Sequence, residues 1–413
     1  MRPSTPQDEP AIPQVEPSPV EGIPRPVFVL SVVSFFTDVS SEMVYPLIPL
    51  FLTSALGAPL AAVGLIEGVA ESTASFLKTG SGWLSDRLAV RKPLVVAGYA
   101  LSGAAKPLMA AAHVWPAALG VRFLDRSGKG LRTAPRDALI ADATPLEYRG
   151  RAFGFHRAAD TMGAVIGPGI GLGLLALLND DFRTVFLIAG IPALAGVAVL
   201  WVLKERKPEP KAGNQTSETG SRAGVWRELG RPFYVFLGIS LLFALGNSSD
   251  VFLILRSKDL GLTNTETVSA YVLFNAVYSL LAWPAGAASD RLGRRNVIGA
   301  GFALFSVVYF GFAVAGTGAL AWPLFAVYGV FMAMTEGVGK ALVTDLVPGA
   351  DRATALGLYT GGIGAMVLAA SLLAGGLWDL IGPSAPFALG GVTGLAALAG
   401  LVANGGGWAR SAQ

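Results

Sequence analysis

The sequence predicts an all-α membrane protein in which twelve transmembrane helices form two six-helix bundles. Three observations carry that prediction. Of 413 residues, 53% are apolar and 14% charged, with a mean hydropathy of +0.56; soluble chains hold about 25% charged residues. The apolar residues form long continuous runs, without the alternation of a strand barrel, so the spans are helices. Finally, polar motifs repeat in order at offsets of 203 to 208 residues. Ser40-Ser41-Glu42 returns as Ser248-Ser249-Asp250, and Ser85-Asp86-Arg87-Leu88 as Ser289-Asp290-Arg291-Leu292. Asp142, Pro145, Arg149 and Gly154 return as Asp345, Pro348, Arg352 and Gly357. An ordered repeat of this kind marks a duplicated unit.

Residues 1–26 hold eight prolines and no apolar run, which predicts a disordered cytoplasmic tail rather than a signal peptide. Apolar blocks then follow at 27–53, 60–83, 93–112, 115–138, 152–177 and 184–203, forming a bundle over 27–203. The segment 204–231 is polar, carries seven basic residues and reads as a cytoplasmic linker. A second bundle over 232–403 comprises 233–254, 267–287, 296–315, 321–343, 354–376 and 384–403, leaving a tail at 404–413. Twelve spans of about 20 residues require about 240 residues, which the chain supplies with short loops to spare. Sixteen Lys or Arg lie in alternate loops on one side, against only Arg183, Arg256 and Lys258 on the other, which places both termini in the cytoplasm.

Nine basic residues fall inside the predicted spans: Lys78, Lys106, Arg122, Arg126, Lys129, Arg132, Arg136, Arg157 and Lys340. Facing lipid, at about 2.5–3.5 kcal/mol each, they would cost about 20–30 kcal/mol together. They must therefore face an interior that is paired or wet. At 100° per residue, Arg122, Asp125, Arg126, Lys129, Arg132 and Arg136 fall within an arc of about 120° on span 4. Glu67, Glu71 and Lys78 align on span 2, and Asp38 and Glu42 on span 1. The first six spans balance eight bases with seven acids, the list completed by Asp137 and Asp160. Static pairing accounts for many of these charges. A core held only by packing would not need so many, so some must serve a polar pathway. The second half has only Asp250, Glu336 and Lys340, the last two expected to pair.

With no cysteine and only His113 and His156, disulfides, iron–sulfur clusters, thiolate sites and imidazole-rich metal sites are excluded. No nucleophile–base pair or phosphate loop is present, so no catalytic residue, cofactor or bound metal is expected, and no nucleic acid. The Gly167–Gly173 run lacks the preceding strand of a dinucleotide site.

Two six-span halves, a basic linker, and an Asp-Arg motif after spans 2 and 8 resemble the major facilitator superfamily, specifically its bacterial 12-span drug:proton antiporter branch. The loop pattern appears as Gly82, Asp86, Arg87, Arg91 and Lys92, with Ala89 in place of the second glycine. It appears more fully as Gly286, Asp290, Arg291, Gly293, Arg294 and Arg295. The resemblance implies that Asp86 meets the positive start of span 11, and Asp290 that of span 5, closing the cytoplasmic side. Arg91 or Arg87 is expected to pair with Asp142. Gly154, Gly163, Gly167, Pro168 and Gly171 are similar to the antiporter signature, with Leu172 departing from its last glycine. Arg122, Gly128, Gly130 and Pro135 partly match the family's arginine motif, with Arg126 where glycine is usual.

The resemblance implies secondary active transport by alternating access, and the proton-coupled antiport of a small organic solute is the expectation. Asp38 and Glu42 are the proton-coupling candidates beside Arg122, followed by Glu67 and Glu71. Tyr45, Lys78, Lys106, Asp125, Arg126, Lys129, Asp250, Tyr271 and Glu336 are candidates to line the cavity, with Asp250 facing Glu42 across it. Three substrate classes fit: amphipathic organic compounds, organic anions on the Arg122/Arg126/Lys129 stripe, and a divalent metal as cargo on Asp38, Glu42, Glu67 and Glu71. A non-transporting sensor on the same fold is the reading from another class. The expected partners are solute, protons and lipid bilayer, with a monomer in the bacterial inner membrane.

Overall fold

The computed structural model describes residues 23–88, 91–145, 149–203, 229–347 and 352–404; the expected disordered tail and most of the expected linker lie outside them. The described residues form twelve long helical segments. These are α1 (Arg25–Ala55), α2 (Leu60–Leu88), α3 (Lys92–Ala110), α4 (Trp115–Asp142), α5 (Arg149–Leu177) and α6 (Phe182–Val202). The second half contributes α7 (Gly230–Asp259), α8 (Asn264–Leu292), α9 (Arg294–Val314), α10 (Ala321–Asp345), α11 (Arg352–Leu380) and α12 (Ala385–Ala403). Ten are long and apolar enough to cross a membrane. The other two are α3 and α4, and α4 falls short because its charged stripe lowers its hydropathy.

Helix ends follow local chemistry. Asp181 caps α6 by accepting from the Arg183 and Thr184 amides, and the bond it accepts from the Thr184 hydroxyl, with these amides, holds its carboxyl below the usual range. Thr263 and Glu266 form a capping box at the start of α8. Two expectations need correction. Both α2 and α8 continue to Leu88 and Leu292, so Asp86 and Asp290 ride on the last helical turn rather than in a loop. The expected continuous span at 233–254 is broken: the α-helix stops at Gly246 and restarts at Val251, across Asn247, Ser248, Ser249 and Asp250. At the equivalent point α1 stays helical, then tightens into a 3₁₀ turn at Tyr45–Leu47, where Pro46 and Pro49 remove two backbone donors.

The packing repeats with the sequence. In the first half α1 lies on α5 and α6, α2 on α4, and α3 on α4 and α6; in the second α7 lies on α11 and α12, α8 on α10, and α9 on α10 and α12. The halves meet through α2 against α11 and α5 against α8. Along the first of these seams, a Cβ at Gly68 would stand 2.8 Å from Leu368, and one at Gly375 would stand 2.8 Å from Ala61. Ser72 donates to the Gly364 carbonyl at 3.2 Å. Toward the other end of α11, Gly357 and Gly361 face open space. The apolar core is divided accordingly. One cluster unites both halves where α2 begins, whereas Val27, Leu30, Val95, Tyr99 and Ile140 form a separate cluster at the opposite end of the first half.

Candidate functional site

The stripe on α4 turns inward, as its periodicity requires. Arg122 donates from Nε and Nη2 to Glu67 at 3.0, 2.8 and 2.9 Å, with Arg122 3% exposed and Glu67 fully buried. Its Nη1 lies 3.4 Å from Asp125. Asp125 also accepts from Lys106 at 2.8 Å, and Lys106 is held by the Ser102 carbonyl at 3.0 Å and Ser41 at 3.2 Å. Arg126 pairs with Glu71 at 3.2 Å. The guanidinium groups of Arg122 and Arg126 stand 5.9 and 5.8 Å from the Tyr45 ring, within cation–π reach. Deeper along α4, Arg132 bonds Ser102 at 2.6 Å and lies 4.5 Å over Tyr99. This is a ladder in which nearly every rung is already paired.

Asp38 and Glu42 stand apart from it. Both are half-buried on α1, and among the described residues neither makes a hydrogen bond or ion pair. The glycines of α5 press on them. A Cβ at Gly163 would lie 2.9 Å from Asp38 Cβ and 2.9 Å from the Phe35 carbonyl; one at Gly167 would lie 2.8 Å from Glu42 Cβ and 2.7 Å from the Val39 carbonyl. Gly171 meets Met43 in the same way. Arg132, Lys129 and Arg136 act on Asp38, and Lys129, Arg126 and Arg122 on Glu42; of these Lys129 is exposed and acts on Asp38, Glu42 and Glu71 together. Arg122, the arginine expected beside Asp38 and Glu42, acts on Glu42 through its charge while its hydrogen bonds go elsewhere. Glu67 and Asp125 hold it, because a planar guanidinium gains most from a bidentate carboxylate.

Across the interface, Asp250 accepts from Tyr328 at 2.6 Å at the break in α7, and Glu42 is among the charges acting on it. Tyr271 meets Tyr45 at 5.8 Å, one ring from each half. Glu336 accepts from Tyr278 at 2.5 Å and lies 3.7 Å from Lys340, so the expected Glu336–Lys340 pair forms. A cavity of about 300 Å³ opens beside them, walled by Phe236, Phe243, Phe302, Phe331 and Tyr359, with Glu71, Glu336, Lys340 and Asn247 as its polar points. Of the expected lining residues only Glu336 borders this cavity, joined by Glu71 from the coupling set. Lys106, Arg122 and Asp125 border a smaller void of about 20 Å³. Lys78 is exposed and makes no ion pair with Glu71 among the described residues.

The family model of the Major Facilitator Superfamily matches this chain twice, over residues 30–256 and 235–404. The chain belongs to the major facilitator superfamily. An uncharacterized MFS-type transporter of Methanocaldococcus jannaschii is 36% identical over 382 residues, which is 91% of this chain and 93% of that protein. The multidrug resistance protein MdtH of Cronobacter sakazakii is 33% identical over 192 residues, 45% of this chain and 44% of its own. Among solved structures, a D-xylose-proton symporter shares the fold, with a TM-score of 0.71 at 17% identity over 91% of this chain and 96% of that one. The chain is thus a multi-pass plasma-membrane transporter of the superfamily fold.

The superfamily's repeated loop motif is built symmetrically. Arg91 pairs with Asp142, as expected, and Arg294 with Asp345. Lys92 donates to the Leu203 carbonyl at the end of α6, and Arg295 to the Leu401 and Val402 carbonyls at the end of α12, at 2.7 and 3.0 Å. Each basic pair therefore ties neighbouring helix ends together. Gly293 adopts φ 88°, a conformation that glycine tolerates, between α8 and α9. Gly82 sits within 3.3 Å of Ala134 for an added Cβ, and Gly286 faces open space. Asp290 lies 3.5 Å from Arg294 on its own side. The side chains of Asp86 and Gly154, and Ala89, lie outside the described residues, as does residue 351 before α11.

Sequence reasoning missed the aromatic cavity wall, because phenylalanines in apolar helices look alike whether they face lipid, core or cavity. It also missed Asp379. That carboxylate, near the end of α11, accepts from the Leu60 and Ala61 amides at 3.3 and 2.8 Å, capping α2 across the two halves. An acid at the end of an apolar span, close to the seam, was the available signal.

Proposed function

We propose that this transporter works by alternating access as a proton-coupled antiporter that exports an amphipathic organic solute. The observation that carries the reading is the press of Gly163 and Gly167 on Asp38 and Glu42. Two mid-span carboxylates without partners, held by a glycine face and sharing Lys129, are groups whose proton occupancy can change as helices move. The paired ladder of Glu67, Glu71 and Asp125 is the static frame around them. Substrate class follows from what remains free. The arginines that would hold an anion are neutralised by those three acids. Among the described residues no three of His, Cys, Asp and Glu gather as a metal-ligand set. The aromatic cavity favours an apolar body carrying a polar group, in keeping with the size range of small-molecule sites.

In this reading all twelve helices cross the membrane, the halves 27–203 and 232–403 rock about the site, and both termini with the 204–231 linker lie in the cytoplasm. The closed α2–α11 seam is then extracellular and the cavity faces inward. The protein acts as a monomer. The resemblance to MdtH over part of the chain supports export, while the symporter's fold shows that architecture alone does not set direction.

The test is ligand-induced proton release from purified protein in weak buffer, across organic cations, organic anions and divalent metals. Release on adding one class of organic solute is expected, and its loss in Asp38→Asn or Glu42→Gln. Undiminished release in both variants would remove these carboxylates from the mechanism, and release by metals alone would replace the substrate class.

A further inference from the structure

Two buried atoms on α5 face each other without a hydrogen-bond partner. They are Nε2 of His156 and Oδ1 of Asp160, 3.6 Å apart across one helical turn. His156 is 4% exposed. Its other ring nitrogen, Nδ1, lies 3.3 Å from Ser31 Oγ on α1. The Ser31 hydroxyl has one proton, and donates it to the Val27 carbonyl at 2.8 Å. Ser31 Oγ therefore accepts from the imidazole, and Nδ1 carries the hydrogen.

That tautomer decides what Nε2 can do. A neutral imidazole protonated at Nδ1 presents a lone pair at Nε2, and an ionised Asp160 presents another at Oδ1. Two acceptors facing each other in a buried seam are unsatisfied, and 3.6 Å leaves no room for a water in line between them. A single added proton satisfies both atoms, whether the pair is then imidazolium and carboxylate or imidazole and carboxylic acid. We propose that His156 and Asp160 form a proton-binding site that holds one exchangeable proton between Nε2 and Oδ1.

Among the described residues no donor reaches either atom. From α4, Arg136 and Asp137 act on His156, but Arg136 is engaged by Ser34 at 3.0 Å and Asp137 at 2.9 Å. From α5 itself Arg157 acts on it, and Arg157 also acts on Tyr278 of α8 and Glu336 of α10. From α1, Asp38 is the facing group, with Asp160 among the charges acting on it. Loading or emptying the pair therefore changes the field at the carboxylate assigned to coupling. The site rests on the antiport reading only for its use, not for its existence.

The chain has two histidines, and His113 is exposed at the opposite end of the bundle. Full-length His113→Gln protein labelled with nitrogen-15 histidine, in lipid nanodiscs, would report His156 alone. The expected spectrum shows Nδ1 protonated throughout an acid titration, as the tautomer requires. Nε2 should pass through a single protonation step as the pH is lowered. Asp160→Asn should abolish the step, since the amide N–H donates to Nε2 permanently. A dominant Nε2–H tautomer would overturn the site without any change made to it, as would a step unaltered in Asp160→Asn. The readout is the imidazole itself, so absence of substrate-driven proton release would sink the antiport reading and leave this site standing.

Discussion

At the scale of single residues, the distinction that matters is between charges that are spent and charges that are free. Glu67 and Arg122 are nearly or fully buried and joined by three short hydrogen bonds, so each neutralises the other where solvent cannot. Glu67→Gln would leave the buried guanidinium with Asp125, at 3.4 Å, as its one remaining carboxylate partner. Breaking a buried pair in this way costs about 3–5 kcal/mol, and a fall of several degrees in the unfolding midpoint in detergent is expected. Replacing both partners by apolar residues should recover much of that loss, because neither charge then needs solvating. A double-mutant cycle read by thermal unfolding checks both outcomes. Additive losses would show that Arg122 is stabilised elsewhere. Among the described residues Asp38 and Glu42 have no such partner, and that difference separates the paired frame from the carboxylates proposed for coupling.

At the scale of elements, the spacing of the α5 glycines becomes intelligible as a seat for α1. Gly163, Gly167 and Gly171 present backbone to Asp38, Glu42 and Met43, so the helices approach without a side chain between them. Gly163→Ala would place a methyl 2.9 Å from Asp38 Cβ and from the Phe35 carbonyl, and one helix must move. Gly169, on the same helix, faces open space. The prediction is that Gly163→Ala folds but loses substrate-driven proton release, while Gly169→Ala retains it. Equal behaviour of the two variants would mean that the close approach has no part in coupling. The break in α7 is the second element-scale feature. It places Asp250 at a helix restart, where Tyr328 reaches it.

At the scale of the whole molecule, the described residues of the two halves pack together where α2 begins, whereas Gly357 and Gly361 toward the other end of α11 face open space. The joined end is fastened by Asp379, whose carboxylate sits on the first free amides of α2. An anion at an exposed helix N-terminus contributes about 0.3–1 kcal/mol. Asp379→Asn should therefore raise the population opened at that end by about two- to fivefold. The cysteine-free sequence makes this measurable, because Ala111→Cys and Val314→Cys introduce the only labelling sites, one in each half. Spin-label distances should gain a longer component in the Asp379→Asn background. An unchanged distribution would show that the apolar seam alone holds the halves together.

Much of this was written in the chain itself. Hydropathy determined the helical membrane class, because a bilayer tolerates backbone only when its hydrogen bonds close within the segment. The repeat determined two equivalent bundles, and the 100° geometry of a helix put the α4 charges on one inward face. The Arg91–Asp142 pair, 51 residues apart, was expected from the resemblance of the loop motif. What tertiary structure alone decided is which charge meets which. Arg122 could have served Asp38, Glu42, Glu67 or Asp125 by type and depth, and only the packing of α2 on α4 gives it Glu67. Likewise His156 and Asp160 are four residues apart but Ser31 is 125 residues from His156, and the three become a site because α5 lies on α1. Periodicity specifies the face a residue occupies. The partner depends on how the helices cross, and that is set by many weak contacts which no local pattern records.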